Sequence, residues 1–180
     1  MHRENFLLLL NSYNPKDCSE ILFKKQFIQF VMQNTNCFHR SLEIGHITAS
    51  CWLLNNIGSH ALLMHHSKLD KWFQLGGHCD GDPDVLAVAI KEATEESGIK
   101  NIQYVNPYIF DLDIHLIPEN KKEKAHYHYD VRFLLQSTED AKIIQNSESK
   151  GLMWVSKEDP LPTDNLSVVR MVKKWKEIPI

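Results

Sequence analysis

Gly76-Gly77-His78-Cys79-Asp80-Gly81-Asp82-Pro83-Asp84 leads into the apolar run Val85-Leu86-Ala87-Val88-Ala89-Ile90, and then into Lys91-Glu92-Ala93-Thr94-Glu95-Glu96-Ser97-Gly98-Ile99. The pattern predicts a glycine turn followed by a helix from about Pro83 to Ser97. Asp82 or Asp84 can cap its start, with Pro83 in the first turn, where a missing N–H costs nothing. Gly98 stands where a C-terminal stop belongs. Val85, Leu86, Val88, Ala89, Ile90 and Ala93 make a broad apolar stripe. Glu92 precedes Glu95 by three residues and Glu96 by four, so the three acids crowd one face at the edge of that stripe. Like charges at such spacing repel and weaken a helix. A bound cation removes the conflict, and oxygen ligands at helical spacing suit a hard divalent ion such as Mg²⁺ or Mn²⁺. The competing reading is a solvated acidic face, which the flanking caps and the adjoining stripe disfavour.

The stretch resembles the Nudix box: Gly, five residues, Glu, seven residues, Arg-Glu, an apolar residue, any residue, Glu-Glu, any residue, Gly, apolar. Anchored on Gly77, the chain matches at Glu92, Ala93, Glu95, Glu96, Gly98 and Ile99, while Pro83 stands at the first Glu position and Lys91 at the Arg position. The resemblance implies an α/β fold, an α/β/α sandwich with a mixed β-sheet. It implies a metal-dependent hydrolase that cleaves a pyrophosphate bond in a nucleoside diphosphate linked to another moiety, using metal-activated water. Glu92, Glu95 and Glu96 would be the metal ligands, joined by a carbonyl of the glycine turn, Gly77, with Mg²⁺ or Mn²⁺ as cofactor. Glu148, in a loop just before Leu152-Met153-Trp154-Val155, matches a family position where a loop glutamate completes the site or acts as base; the other reading is a plain loop carboxylate. Lys91 keeps the charge of the family Arg but not its two-pronged geometry. Its expected role is pairing with box acids such as Glu95. Asp82 and Asp84 flank Pro83 and are the nearest substitutes for the acid lost there.

With 180 residues, 43% of them hydrophobic, the chain suits one globular domain with a sizeable core. A formal charge of −3 and the lack of a basic stripe give no general attraction for nucleic acid. Cys18, Cys37, Cys51 and Cys79 form no CxxC pair and read as reduced thiols. Cys79, inside the glycine turn, reads as a small space-filling residue rather than a nucleophile. Phe6 to Leu10 is too short for an export core, and no run approaches the ~20 apolar residues needed to span a membrane. A cytoplasmic location is expected.

Around the box, residues 1–43 are expected to be a helical extension, packed on the core or on a partner subunit, and residues 44–180 the Nudix hydrolase domain. Glu4–Tyr13 predicts one helix, and Asp17 with Glu20 resembles a capping box for a second that ends near Gln33. Ile21, Leu22, Phe23, Phe27, Ile28, Phe30 and Val31 recur on it at helical spacing. Asn55-Asn56-Ile57-Gly58 reads as a hairpin turn between strands His46–Asn55 and His60–His66. Further strands are expected at Lys71–Leu75, Tyr104–Ile117, His126–Gln136 and Leu152–Val155. Asp164 or Asn165 opens a last helix, with Leu166, Val169, Val172 and Trp175 inward. Trp72 and Phe73 read as packing residues before base-stacking ones, and the lysines near Lys121 as a solvated turn.

The two long strands alternate. Asp111, Asp113 and His115 share one face of the first, and His126, His128, Asp130 and Arg132 one face of the second. A hairpin about the charged turn at 118–124 would set Asp113 near His128 and His115 near His126. The functional reading is a substrate wall, with His126, His128, Arg132 and Asp113 binding phosphate or ribose; the other is a solvated face of cross-strand pairs. His126-Tyr127-His128-Tyr129-Asp130 also resembles the HxHxD start of a metallo-β-lactamase metal motif, but Val131 stands where that motif continues with His. The partner expected is a nucleotide-type small molecule, without membrane, and the resemblance also admits a homodimer. Two further functions compete: a Nudix-fold module that binds or senses a nucleotide without turnover, and a Nudix-like isomerase of isoprenoid diphosphates, whose catalytic Cys and Glu find no match here.

Overall fold

In the computed structural model, which describes residues 2–121, 123–140, 142–147 and 149–179 and only the backbone of His2, helices α1 (His2–Ser12) and α2 (Cys18–Gln33) come first. Strands β1 (Gly45–Leu54), β2 (His60–His66), β3 (Lys71–Phe73) and β4 (Leu75–His78) follow, and then helix α3 (Val85–Ser97). Strands β5 (Ile102–Ile117), β6 (His126–Ser137) and β7 (Ser149–Ser156) precede the final helix α4 (Leu166–Lys176). The fold is α/β, with a mixed sheet in the order β3-β2-β1-β6-β5; β4 pairs with β1 and β7 with β2. The run expected as one strand at Lys71–Leu75 is two, broken at Gln74.

Two compact units divide the chain. The first comprises Met1–Ala49, Gly77–Val88 and Pro107–Phe133; the second comprises Ser50–Gly76, Ala89–Asn106 and Leu134–Ile180. In the first unit α2 packs through Phe27 and Phe30 onto Tyr129 of β6, with the Phe30 ring stacked at 3.9 Å. Phe27 and Val31 are fully buried, whereas Ile21 and Leu22, which share their helical spacing, are exposed. Asp17 caps α2 by accepting from the Ser19 N–H. Glu20, three residues on, also has tertiary partners. It is fully buried, accepts from the Tyr13 hydroxyl, and lies 3.4 Å from the Leu112 N–H of β5, which donates to it. A carboxylate that loses water requires donors, and the Tyr13 hydroxyl and the Leu112 N–H supply two.

The second unit contains the β1–β2 hairpin, where Leu54 faces Ala61 and the Gly58 N–H closes the turn onto the Asn55 carbonyl at 3.0 Å. Strand β2 pairs antiparallel with β3 and with β7. Asn165 caps α4 by accepting from Ser167 and Val168. The inward stripe of α4 is Val168, Met171, Val172 and Trp175, and Trp175 sits edge-on to Trp52 at 6.0 Å. Leu166, expected inward, is 82% exposed. It directly follows the cap, and a stripe at i, i+3, i+4, i+7 from Val168 excludes it. Among the described residues no helix is long and apolar enough to cross a membrane. Cys18 is exposed, and Cys37, Cys51 and Cys79 are buried; none of the four is in a disulfide.

Candidate active site

The start of α3 is built as the sequence reads. The Asp84 carboxylate accepts from the Ala87 N–H at 3.1 Å, and Asp82 accepts from the Asp84 N–H at 2.9 Å. Both aspartates that could replace the acid lost at Pro83 thus serve the helix start. At the other end Gly98 takes φ +72° and closes the last turn onto the Thr94 carbonyl at 2.9 Å. A Cβ there would meet Ile144 at 2.6 Å, so glycine is required twice over.

The three glutamates differ in environment. Glu96 is buried, at 4% exposure, in line with Ala89 and Ala93 on the inward stripe. The Glu92 side chain is 17% exposed, and that of Glu95 57%. The Glu96 carboxylate accepts the Gly76 N–H at 2.9 Å, which fixes the acid against the glycine turn. Gly76 itself has φ +154°, and a Cβ would collide with Ser50. Lys91 lies 3.4 Å from Glu92 and 3.8 Å from Glu95, the i,i+4 pairing its position implies. Both contacts are solvated and contribute little stability, ~0–1 kcal/mol. The donors are all oxygen, the type a hard divalent ion takes, but among the described residues these three carboxylates do not form a group whose ligand atoms converge. Glu148 lies outside the described residues.

On β5 and β6 the alternating faces do meet, with partners other than those expected. Arg132 takes the place expected for His128: it lies 3.3 Å from Asp113, 3.0 Å from Asp111 and 2.7 Å from Asp130. His128 instead neighbours His115, with ring centroids 5.4 Å apart. Side-chain alternation survives any even shift, which is why the faces were legible and the partners were not. Only 2% of the Arg132 side chain is exposed. Burial opposes its charge, but the three aspartates outweigh that and hold the guanidinium above its usual range. Asp130 also accepts from the Thr48 hydroxyl at 3.0 Å.

Beside this network stands a histidine cluster that the sequence reading only half saw. His46 of β1, His78 of β4 and His128 of β6 each offer a ligand atom, all within 4.8 Å of one another. The rings of His46 and His126 stack at 5.0 Å. Burial pushes the His46 imidazole down to about 4, aided by His78 and His126, with the Leu42 backbone acting weakly in the opposite sense. Burial likewise lowers His78, and drives His128 far below the usual range with help from the surrounding imidazoles. The missed residues, His46 and His78, had a signal: His46, Thr48 and Ser50 alternate on β1 as the histidines do on β6. Cys79 is buried, and burial, then Asp130, raises its thiol well above the usual range, in keeping with a space-filling residue. In the second unit, Trp72 stacks on His65 at 4.9 Å and lines an open groove of ≈ 680 Å³ with Lys71, Pro162 and Asp164.

The glycine turn that feeds a glutamate-bearing helix within this α/β fold lies inside the span matched by one family model. The family model described as the NUDIX domain matches residues 45–175, and the chain belongs to the Nudix family. No curated protein matches the sequence. Among solved structures the chain is similar to a MutT NUDIX hydrolase from Burkholderia pseudomallei, at 15% identity over 72% of this chain and 97% of that one, with a TM-score of 0.54. It is similar to an Ap4A hydrolase from C. elegans, at 18% identity over 72% and 94%, TM-score 0.52. It is also similar to the E. coli dihydroneopterin triphosphate pyrophosphohydrolase, at 12% identity over 71% and 92%, TM-score 0.53. At these identities the likeness is one of fold.

Proposed function

We propose that this Nudix hydrolase is Mg²⁺- or Mn²⁺-dependent and cleaves the pyrophosphate bond of a nucleoside diphosphate linked to another moiety. The observation that carries the reading is the Glu96 carboxylate, buried and held by the Gly76 N–H at 2.9 Å. A buried acid of the box oriented by its own glycine turn is preorganised for an ion. Glu92, Glu95 and Glu96 would hold it, with the carbonyl of Gly77, the next residue along the chain. The ion, when bound, spreads the phosphate charge and lowers the pKa of water. The chain's own residues do the rest. Gly76 fixes Glu96, and Lys91 pairs with both Glu92 and Glu95. Glu92 orients the attacking water, and Glu148 remains the proposed base.

Of the substrate wall, His126 keeps that role in this reading. The Arg132 guanidinium is taken by carboxylates and serves to fix Asp113 rather than phosphate. Residues 44–180 carry the reaction and 1–43 are an appended helical segment, a division supported by a family match that begins at residue 45. Four cysteines outside any disulfide support a cytoplasmic location. Pro83 and Lys91 favour one alternative, a module that binds a nucleotide without turning it over.

The test is turnover of nucleoside triphosphates, ADP-ribose, dinucleoside polyphosphates, NADH and capped RNA with Mg²⁺ or Mn²⁺, beside Glu95→Gln and Glu96→Gln. Metal-dependent activity reduced about 100-fold or more in both variants is the expected result. Tight binding without turnover in the parent would establish the sensing module, and activity that survives both substitutions would remove the glutamates from the site.

A further inference from the structure

We propose that His46, His78 and His128 form a binding site for a borderline divalent transition-metal ion, with Zn²⁺ as its reference ion. The three come from β1, β4 and β6 within the first compact unit, and each offers a nitrogen within 4.8 Å of the others. Their ring centroids lie 4.8–5.0 Å apart. Among the described residues this is the set of histidine, cysteine and acidic side chains that so converges.

A second observation is independent of that convergence. His46 is 2% exposed, and neither of its ring nitrogens has a partner at full hydrogen-bond geometry, the Leu42 backbone being the protein group that acts on the ring. Buried polar atoms in folded proteins are nearly always satisfied, and an unsatisfied one costs about 1–3 kcal/mol. An imidazole placed in the interior between two others keeps a ring lone pair that an electrophile can take. A metal ion supplies one to three imidazoles at once.

The surroundings agree. His126 Nδ1 lies 2.8 Å from the Lys124 carbonyl, so that nitrogen is the donor and Nε2 keeps its lone pair. That Nε2 sits 3.3 Å from Nε2 of His128. A ring anchored on a backbone carbonyl is how metal-binding histidines are oriented. Zn–N bonds of about 2.0–2.1 Å in tetrahedral geometry set ligand nitrogens about 3.4 Å apart, so ring rotations of about 1 Å close the set. His115, tied to Asp113 at 3.1 Å, flanks the cluster on the side of β5.

The ligand chemistry separates this site from the glutamates. Imidazole nitrogens favour Zn²⁺, Cu²⁺, Ni²⁺ and Co²⁺, whereas Mg²⁺ takes oxygen and keeps its water. The two sets share no residue, so the histidine site stands whether or not Glu92, Glu95 and Glu96 hold Mg²⁺. Three protein ligands leave a fourth position open, the arrangement of a zinc site that accepts water or an anionic ligand rather than a closed structural one.

The experiment titrates the chelator-stripped full chain with Zn²⁺ under saturating Mg²⁺ by calorimetry, and with Co²⁺ by visible absorption. One Zn²⁺ per chain is expected, with the intense visible bands of four-coordinate Co²⁺. His78→Gln and His128→Gln should each weaken Zn²⁺ about 100-fold, the loss of a direct ligand exceeding that of an outer partner, while Glu95→Gln leaves it unchanged. Metal-free melting temperatures separate loss of the site from loss of the fold. If the variants melt early, the Co²⁺ spectrum of the parent decides. Six-coordinate oxygen-type bands, no Zn²⁺ uptake beside Mg²⁺, or uptake untouched by both histidine variants would overturn the proposal.

Discussion

Glu96 stands at 4% exposure beside a Glu95 whose side chain keeps 57% of its surface in solvent, and this contrast divides what each residue can do. The interior acid accepts from the Gly76 N–H, so its removal orphans a part-buried donor. Glu96→Ala is expected to lower unfolding free energy by about 1–3 kcal/mol, and Glu95→Ala by no more than about 0.5 kcal/mol, measured by denaturant unfolding without metal. Equal losses would mean that Glu96 is not held as described. Sequence spacing located both acids but assigned both to the edge of the apolar stripe. Period alone cannot tell an acid facing the interior from one facing water; that depends on the Gly76 turn that comes to meet it.

Among the elements, β5 and β6 are joined by Arg132, buried with Asp111, Asp113 and Asp130 around it. Replacing only the cation leaves carboxylates without their counter-charge inside the fold, so Arg132→Leu should destabilise by about 3–5 kcal/mol. A melting temperature within a degree or two of the parent would show the network to be dispensable. The limits of α3 were legible because its caps are local: Asp84 and Gly98 act within one turn of the residues they terminate. The pairing of β5 with β6 was legible in face and not in register, since an even slip preserves every inward side chain. The phase of α4 was misread for a related reason. Leu166 matches the apolar period by type, but Val168, Met171, Val172 and Trp175 make the better stripe.

At the scale of the whole molecule the histidines make folding sensitive to acid. His46 is held near 4, and His78 and His128 are also depressed, below the ordinary value of about 6.5 that they regain on unfolding. Below that value the unfolded chain binds more protons than the native one, so stability rises with pH. Their contribution is complete above about pH 6.5 and is lost as pH falls towards about 4. The metal-free protein should therefore melt at progressively lower temperature between about pH 6.5 and 4, followed by calorimetric scanning; a flat profile over that window would contradict the buried neutral cluster. The family and the α/β class were readable from one local motif. The histidine cluster was not, because it is assembled by three strands far apart in the chain, and nothing local records which strand faces which.

The distribution of thiols has a practical consequence. Cys18 is exposed at the first residue of α2, while Cys37, Cys51 and Cys79 are enclosed. A maleimide dye applied to the unaltered chain would mark a single place, the start of a helix that packs on Tyr129. Fluorescence from that label can follow the amino-terminal helices during ligand addition without any engineered cysteine.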